Sequence, residues 1–181
     1  EFVCQNLSDN IDPVFFLKPQ SPTIVKRRFV EGYLLQKLFE VYEINDDALE
    51  PAQNEELCAW LEANLPAFDV VIVVDYGHGM LTSEAIELLC RKAKFLAVNT
   101  QSNAGNRGLN SISRYPRADY LCLASHEIFL QERNRHTSYQ TMILNVSENL
   151  SCGRVMVTRG SSGNICYSVE EGFFEVPVEL T

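Results

Sequence analysis

The sequence predicts an α/β fold: a mostly parallel sheet flanked by helices, preceded by a small β-hairpin and closed by a C-terminal β-hairpin. Three observations carry this. Short apolar or β-branched runs recur at 69–75, 95–98, 119–123 and 154–158. Helical stripes lie between them, and strand–helix–strand alternation forces right-handed crossovers between parallel strands. The composition is that of a globular domain, 46% hydrophobic and 22% charged over 181 residues, long enough to bury a full core.

Residues 1–22 read as an irregular lead-in, because Pro13, Pro19 and Pro22 each push the preceding residue away from helix. Residues 23–44 are β-prone and read as a hairpin with Glu31-Gly32 at its turn. A helix over 33–39 is the competing reading, since Leu34, Leu35 and Leu38 also fit helical spacing. Residues 45–181 form the α/β core. It opens with a helix carrying Leu57, Trp60, Leu61 and Leu65 and stopped by Pro66. The run Val70-Val71-Ile72-Val73-Val74 has the pattern of a parallel strand buried on both faces. A helix over 83–94 follows, capped by Thr82 or Ser83. After the third strand Ser125 caps a helix with Ile128 and Phe129, and Tyr139, Met142, Ile143, Val146 and Leu150 make a further helical stripe. Strands at 164–169 and 173–178, joined through Glu171-Gly172, make the closing hairpin.

Charge and cysteine usage narrow the function. Fifteen basic against 24 acidic residues give a net charge of −9. That charge, with no basic block, argues against non-specific nucleic-acid binding and against docking on an anionic membrane. No apolar run reaches the ~18 residues of a membrane span. The six cysteines lack metal spacing and mostly sit in apolar runs, as reduced thiols of a cytoplasmic protein do. The sequons at Asn6, Asn145 and Asn149 are then coincidental. The chain opens on Glu1 rather than Met, which suggests a piece of a longer protein.

Ligands of open α/β sheets bind beyond the carboxyl ends of the strands. Those ends are Asp75-Tyr76-Gly77-His78-Gly79, Asn99-Thr100-Gln101-Ser102-Asn103, Ala124-Ser125-His126-Glu127 and Thr158-Arg159-Gly160-Ser161-Ser162-Gly163. All four are polar or glycine-bearing, so together they can rim a phosphorylated or sugar-like ligand. The first has two glycines for close backbone approach and leads into a helix N-terminus, a natural anion site. Its plainer reading is a strand-to-helix turn with a capping Asp. The last is not a P-loop, lacking Gly-Lys-Ser/Thr; it is a hairpin turn or a nucleotide contact. Glu127 is a favourable charge in a first helical turn or a link to a magnesium-bound water network. Lys26, Arg27 and Arg28 form the only basic cluster, on what reads most simply as a solvated strand face.

Taken in order, these motifs resemble ribokinase-like (PfkB-type) carbohydrate kinases. Asp75-Tyr76-Gly77-His78-Gly79-Met80-Leu81-Thr82 resembles that family's Asp-Tyr-(Ala/Gly)-Lys-Gly-x-Leu-Thr, most closely in the kinase domain of bifunctional heptose-phosphate kinase/nucleotidyltransferases. Val157-Thr158-Arg159-Gly160-Ser161-Ser162-Gly163 is similar to its Val-Thr-x-Gly-x-x-Gly, and Lys26-Arg27-Arg28-Phe29-Val30 to its lid. The likeness spans residues 23–178.

The resemblance implies a partial three-layer ribokinase-like fold. It implies ATP and Mg²⁺ as cofactors, a sugar or sugar-phosphate substrate, a homodimer formed through the lid, and a fused nucleotidyltransferase domain in the whole protein. Thr158, Gly160, Ser161 and Gly163 would approach nucleotide. Asp75, Gly77, His78, Gly79, Asn99 and Gln101 would lie near the sugar or the transferred phosphoryl group, and Glu127 would serve the metal. The family's catalytic Asp, in a Gly-Ala-Gly-Asp segment that forms the anion hole, falls after the last hairpin. The family's N-terminal strand and sugar-binding Gly-Gly loop fall before the matched part. The expectation is therefore the central part of a kinase, inactive alone, with no catalytic residue of its own.

The sequence also departs from the family. His78 replaces a lysine, Asn99-Thr100-Gln101 stands for Asp-Pro-Lys, and Ala124 stands for the Asn of Asn-x-x-Glu. These departures motivate a second reading, a non-catalytic ribokinase-like module for ligand binding or assembly. A generic nucleotide-binding α/β domain is a third, and it predicts no lid hairpin.

Overall fold

The protein is described by a computed structural model covering residues 2–103, 105–106, 108–133 and 136–178. The expected core boundary at Thr181 lies outside the described residues. The lead-in is irregular apart from one short helix, α1 (Phe2–Gln5). Strands β1 (Val25–Val30) and β2 (Lys37–Glu43) pair antiparallel as a separate two-stranded sheet. The turn spans 31–36 and closes through the Glu31 N–H donating to Gln36 O, 2.8 Å. The hairpin reading holds and the competing helix does not form, because β-branched and aromatic side chains suit cross-strand pairing. Phe29 and Phe39 stack across the pair with centroids 4.4 Å apart.

Helix α2 (Pro51–Asn64) starts on a proline, which suits a first helical turn. It packs on α3 (Ser83–Lys92), whose N-cap is Thr82, the hydroxyl accepting the Ala85 N–H. The remaining elements are β3 (Val71–Asp75), β4 (Leu96–Thr100), β5 (Tyr120–Ala124), α4 (Ser125–Glu132), α5 (Tyr139–Asn149), β6 (Arg154–Thr158), β7 (Asn164–Ser168) and β8 (Gly172–Val176). The sheet order is β3-β4-β5-β6-β7-β8. The first three pairings are parallel and the last two antiparallel. This is the mostly parallel, helix-flanked, partial ribokinase-like architecture the sequence predicts.

Two expectations need correction. Ser125 does not cap α4; Ala124 is the cap residue, its N–H held by the Glu127 carboxylate, while the Ser125 hydroxyl donates to Thr158 O, 3.1 Å. Nor is β3 buried on both faces. Val73 and Asp75 point into the core, but Ile72 is 73% and Val74 50% exposed. The buried apolar residues of β3 to β7 (Val73, Leu96, Val98, Leu121, Leu123, Val155, Val157, Ile165) share one face, which the helices cover with Leu57, Ile86, Ile128, Met142 and Ile143. β3 is also an edge strand, which no local pattern announces.

Candidate functional site

The ends of β3, β4, β5 and β6 finish side by side, with Asp75 level with Thr100 and Ala124 with Thr158. All four predicted loops therefore emerge along one rim of the sheet. The connection from β4 to β5 folds back over the first loop and fixes it.

Asp75 is the anchor. It is 4% exposed and all of its acceptors are in use. Oδ1 accepts the Gly77 N–H at 2.8 Å. Oδ2 accepts the Tyr115 hydroxyl at 2.9 Å and pairs with Arg114 Nη1 at 3.3 Å. Its carbonyl accepts the Gln101 N–H at 2.7 Å and Asn110 Nδ2 at 2.8 Å. Burial, reinforced by the Asp75 charge and hydrogen bond, drives the Tyr115 phenol far above its ordinary pKa, so it stays a donor. Arg114 also donates to Leu81 O at 2.6 Å and Asn110 Oδ1 at 2.8 Å, joining three segments.

The glycines of this loop are required by contact as well as by torsion. Gly77 (φ 68°) lies against the side chains of Asn106 and Asn110; an added Cβ would sit 2.7 Å from Asn110 Cβ. Asn106 Nδ2 donates to Tyr76 O at 2.6 Å and to Gln101 O at 3.2 Å. Gly79 (φ 79°) packs against the Asp47 backbone carbonyl, and Leu49 N–H donates to Gly79 O at 3.2 Å. This binds the strap after β2 to the β3 loop. Lys18 holds the same strap, donating to Asn45 Oδ1 at 3.0 Å and Asp47 O at 2.6 Å.

His78 lies on the rim, its ring stacked near Tyr76 with centroids 6.3 Å apart. Nε2 lies 3.5 Å from Asn103 Nδ2, and Nδ1 is buried without a hydrogen-bond partner among the described residues. Burial first, then the Lys26 charge, lowers its pKa; Asp46 and Asp75 oppose the shift. Asn99 Nδ2 donates to Cys122 O at 2.8 Å, tying β4 to β5. Gln101 enters this network through its backbone.

Glu127 is also fully engaged. Oε2 accepts the Ala124 N–H at 2.7 Å and Oε1 the Ser102 N–H at 3.0 Å. Among the described residues no three His, Cys, Asp or Glu side chains gather as metal ligands.

At the end of β6, Gly160 (φ 58°) and Ser161 are exposed, and the space beyond Gly160 Cα is open. Backbone amides there are free to approach a ligand. Gly163 (φ 75°) is glycine for another reason: it packs against the Val176 carbonyl of β8. Thr158 pairs with Asn164 at the mouth of the β6–β7 hairpin. Arg159, between them, donates to Ser162 O at 3.0 Å and Glu175 Oε2 at 2.8 Å, and its guanidinium lies 5.7 Å from the Tyr139 ring centroid. The residues sequence reasoning missed are Lys18, Asn106, Asn110, Arg114 and Tyr115. The asparagine density of 99–110 was the one signal, and short amides there suit turns that bond to backbone.

No family model matches the sequence, and no curated protein matches it. The fold does match solved structures. Phosphofructokinase-2 from Escherichia coli in complex with potassium aligns with TM-score 0.61 at 10% identity, over 79% of this chain and 47% of that one. Ribokinase from Giardia lamblia gives 0.61 at 15% identity, over 88% and 50%. Ribokinase from Thermotoga maritima gives 0.63 at 16%, over 89% and 50%. The fold class is thus that of the ribokinase-like sugar kinases. The chain spans about half the length of these structures.

Proposed function

We propose that the chain is the central part of an ATP-dependent carbohydrate kinase, with a sugar or sugar phosphate as acceptor. The observation that carries this is the convergence of four polar loops on one rim of a ribokinase-like sheet. The open amides at Gly160 and Ser161, with Thr158 and Gly163 framing them, would meet the nucleotide. His78, Asn99 and Gln101 would face the acceptor, and Asp75, Gly77 and Gly79 hold that loop in shape. ATP supplies the transferred phosphoryl group. Residues 23–44 act as a lid over the core of 45–181. The outer face of that lid, with Phe29, Phe39 and Val41 each 40–53% exposed, is the proposed homodimer contact. A heptose-phosphate acceptor, a fused nucleotidyltransferase domain and a cytoplasmic location complete the reading.

The isolated chain is proposed to be inactive, because the catalytic Asp and anion hole that the resemblance implies fall after its last hairpin; within the chain, Asp75 and Glu127 spend their oxygens on internal donors. The same observation supports the second reading, a non-catalytic ligand-binding or assembly module. The test is ADP release from ATP and Mg²⁺ across a panel of sugars and sugar phosphates, on the chain alone and on the whole protein. Sugar-dependent turnover by the whole protein, reduced by Gly160→Val, is expected. Turnover by the chain alone would refute its inactivity. No turnover by a whole protein that still binds ATP or a sugar would favour the module.

A further inference from the structure

On the rim, His78 Nε2 and Asn103 Nδ2 face each other without a firm bond. On the carbohydrate-kinase reading above, we propose that this pair receives one neutral hydroxyl of the acceptor, which donates to His78 and accepts from Asn103, and so helps to select the sugar.

The Asn103 amide fixes the chemistry. Its Oδ1 accepts the N–H groups of Gly105 at 2.9 Å and Asn106 at 3.2 Å. Its Nδ2 donates to Tyr76 O at 2.9 Å. Turning the amide over would break all three bonds, so Nδ2 stays where it is and keeps one N–H for His78 Nε2. An N–H facing Nε2 requires a lone pair there, so the neutral ring carries its proton on Nδ1. Nδ1 itself is buried, which leaves Nε2 as the ring's polar contact with a ligand. Asn103 thus positions His78 as a hydrogen-bond acceptor.

The two nitrogens are 3.5 Å apart, at the outer limit of a hydrogen bond. A hydroxyl oxygen bonds such groups at ~2.8 Å, so its entry exchanges one long contact for two short ones. Both side chains are half-buried, within reach of a ligand yet partly shielded from water, where such bonds count for more. The Tyr76 ring stands beside the pair, 46% exposed and within 17° of parallel to the imidazole. It offers an apolar surface to the C–H face of a sugar ring.

The charges around His78 favour a hydroxyl over an anion. Lys26 of β1, Asp46 of the strap and Asp75 of β3 all act on the ring. Burial and Lys26 outweigh the two carboxylates, so the ring stays neutral at physiological pH. The lone pair of a neutral Nε2 repels a phosphate oxygen and accepts a hydroxyl proton. A phosphate on the acceptor therefore lies away from this pair.

The test uses the whole protein and D-ribose, D-fructose and D-mannose, each with and without a terminal phosphate. NMR follows the His78 ring nitrogens and the Asn103 side-chain amide. Without sugar, the Nδ1–H tautomer is expected; a bound sugar should shift Nε2 and the Asn103 amide together and saturably. Removing one hydroxyl from the tightest-binding sugar should weaken binding ~10-fold. His78→Leu should weaken it equally and make that removal cost nothing further, while His78→Gln, whose side-chain oxygen can accept the same hydroxyl, should restore part of the affinity. Binding should fall only below pH 6.5, and Lys26→Met should move that fall to higher pH. If His78→Leu does not fold, Asn103→Asp serves: it should transfer the ring proton to Nε2 and weaken binding. The opposite tautomer in the wild type overturns the proposal, as does the absence of binding by every sugar. Binding that His78→Leu and Asn103→Asp both leave unchanged overturns it too. ADP release from ATP separates this from the kinase reading. Turnover with KM for the sugar unmoved by both variants overturns the hydroxyl site alone. Sugar binding through the pair without turnover supports the site and refutes the kinase.

Discussion

Asp75 shows how one side chain can be placed by the sequence and have its role set by the fold. Its position at the end of a strand, ahead of a glycine-bearing loop, reads as a ligand-facing carboxylate. In the structure it closes a knot of Tyr115, Arg114 and Gly77 instead. Hydrogen bonds to a charged group contribute ~1.5–3 kcal/mol each, and buried groups left unpaired cost a similar amount. Asp75→Asn should therefore lower unfolding stability by about 2–3 kcal/mol, and Tyr115→Phe by about 1–2 kcal/mol, measured by urea denaturation. If Asp75→Asn is neutral in stability but abolishes ligand binding, the knot is not its role. His78 gives a pH prediction. Its folded pKa is depressed, chiefly by burial and then by Lys26, so the unfolded chain binds its proton more readily. The contribution is fully present above the unfolded value of ~6.5 and is lost as pH falls through the folded value. An NMR titration should place His78 below 6.5, and Lys26→Met should move it upward. A value at or above 6.5 would contradict its burial.

Elements are held by a few close approaches. Gly79 and Gly160 both have positive φ, but only Gly79 has a backbone carbonyl in the path of a Cβ. Gly160→Ala should cost only the torsional penalty, ~1–2 kcal/mol. Gly79→Ala should cost clearly more and should free the 45–49 strap from the β3 loop. Thermal melts of the two variants check this, and equal losses would mean that the strap moves aside. In the β1–β2 ribbon, Lys37 and Arg28 bond to Glu40, whose pKa falls to about 2, with the Tyr42 hydroxyl assisting. A depressed carboxylate pKa stabilises above the unfolded value of 4.5, and that support fades as pH drops toward 2. Carboxyl chemical shifts should show Glu40 titrating well below the other glutamates, and raised salt should weaken the effect because the ribbon is exposed.

Across the whole molecule, stability is unevenly spread. β4, β5 and β6 have neighbours on both sides and apolar residues in the core, while β1 and β2 make only a two-stranded sheet. Such ribbons are marginal alone. Native-state amide exchange should be slowest in β4–β6 and at least ~100-fold faster in β1–β2, because local opening there exposes little core. Protection of β1–β2 equal to the core would mean that its apolar face is covered, as the proposed dimer requires; Phe29→Glu would then change the sedimentation. The same unevenness explains what was legible in the sequence. Strands at 69–75, 95–98, 119–123 and 154–158 stood out because their contiguous apolar runs contrast with periodic helices. The four loops stood out because glycines and polar residues punctuate strand ends. The Asn106–Asn110 clasp, the Lys18 strap and the Tyr115 knot did not, because each joins residues 27 or more apart, and no local pattern encodes such pairings.

Sequence by itself determined the α/β class, the order of the strands along the chain, the β1–β2 hairpin and the loops that share one rim. These follow from periodicity, β-branching and turn chemistry, which act over a few residues. Tertiary structure alone decided that Asp75 and Glu127 turn inward, that Gly77 and Gly79 are glycines for want of space, and that β3 is an edge with one bare face. Those outcomes depend on which distant backbone and side-chain groups meet, and on whether each buried donor finds an acceptor.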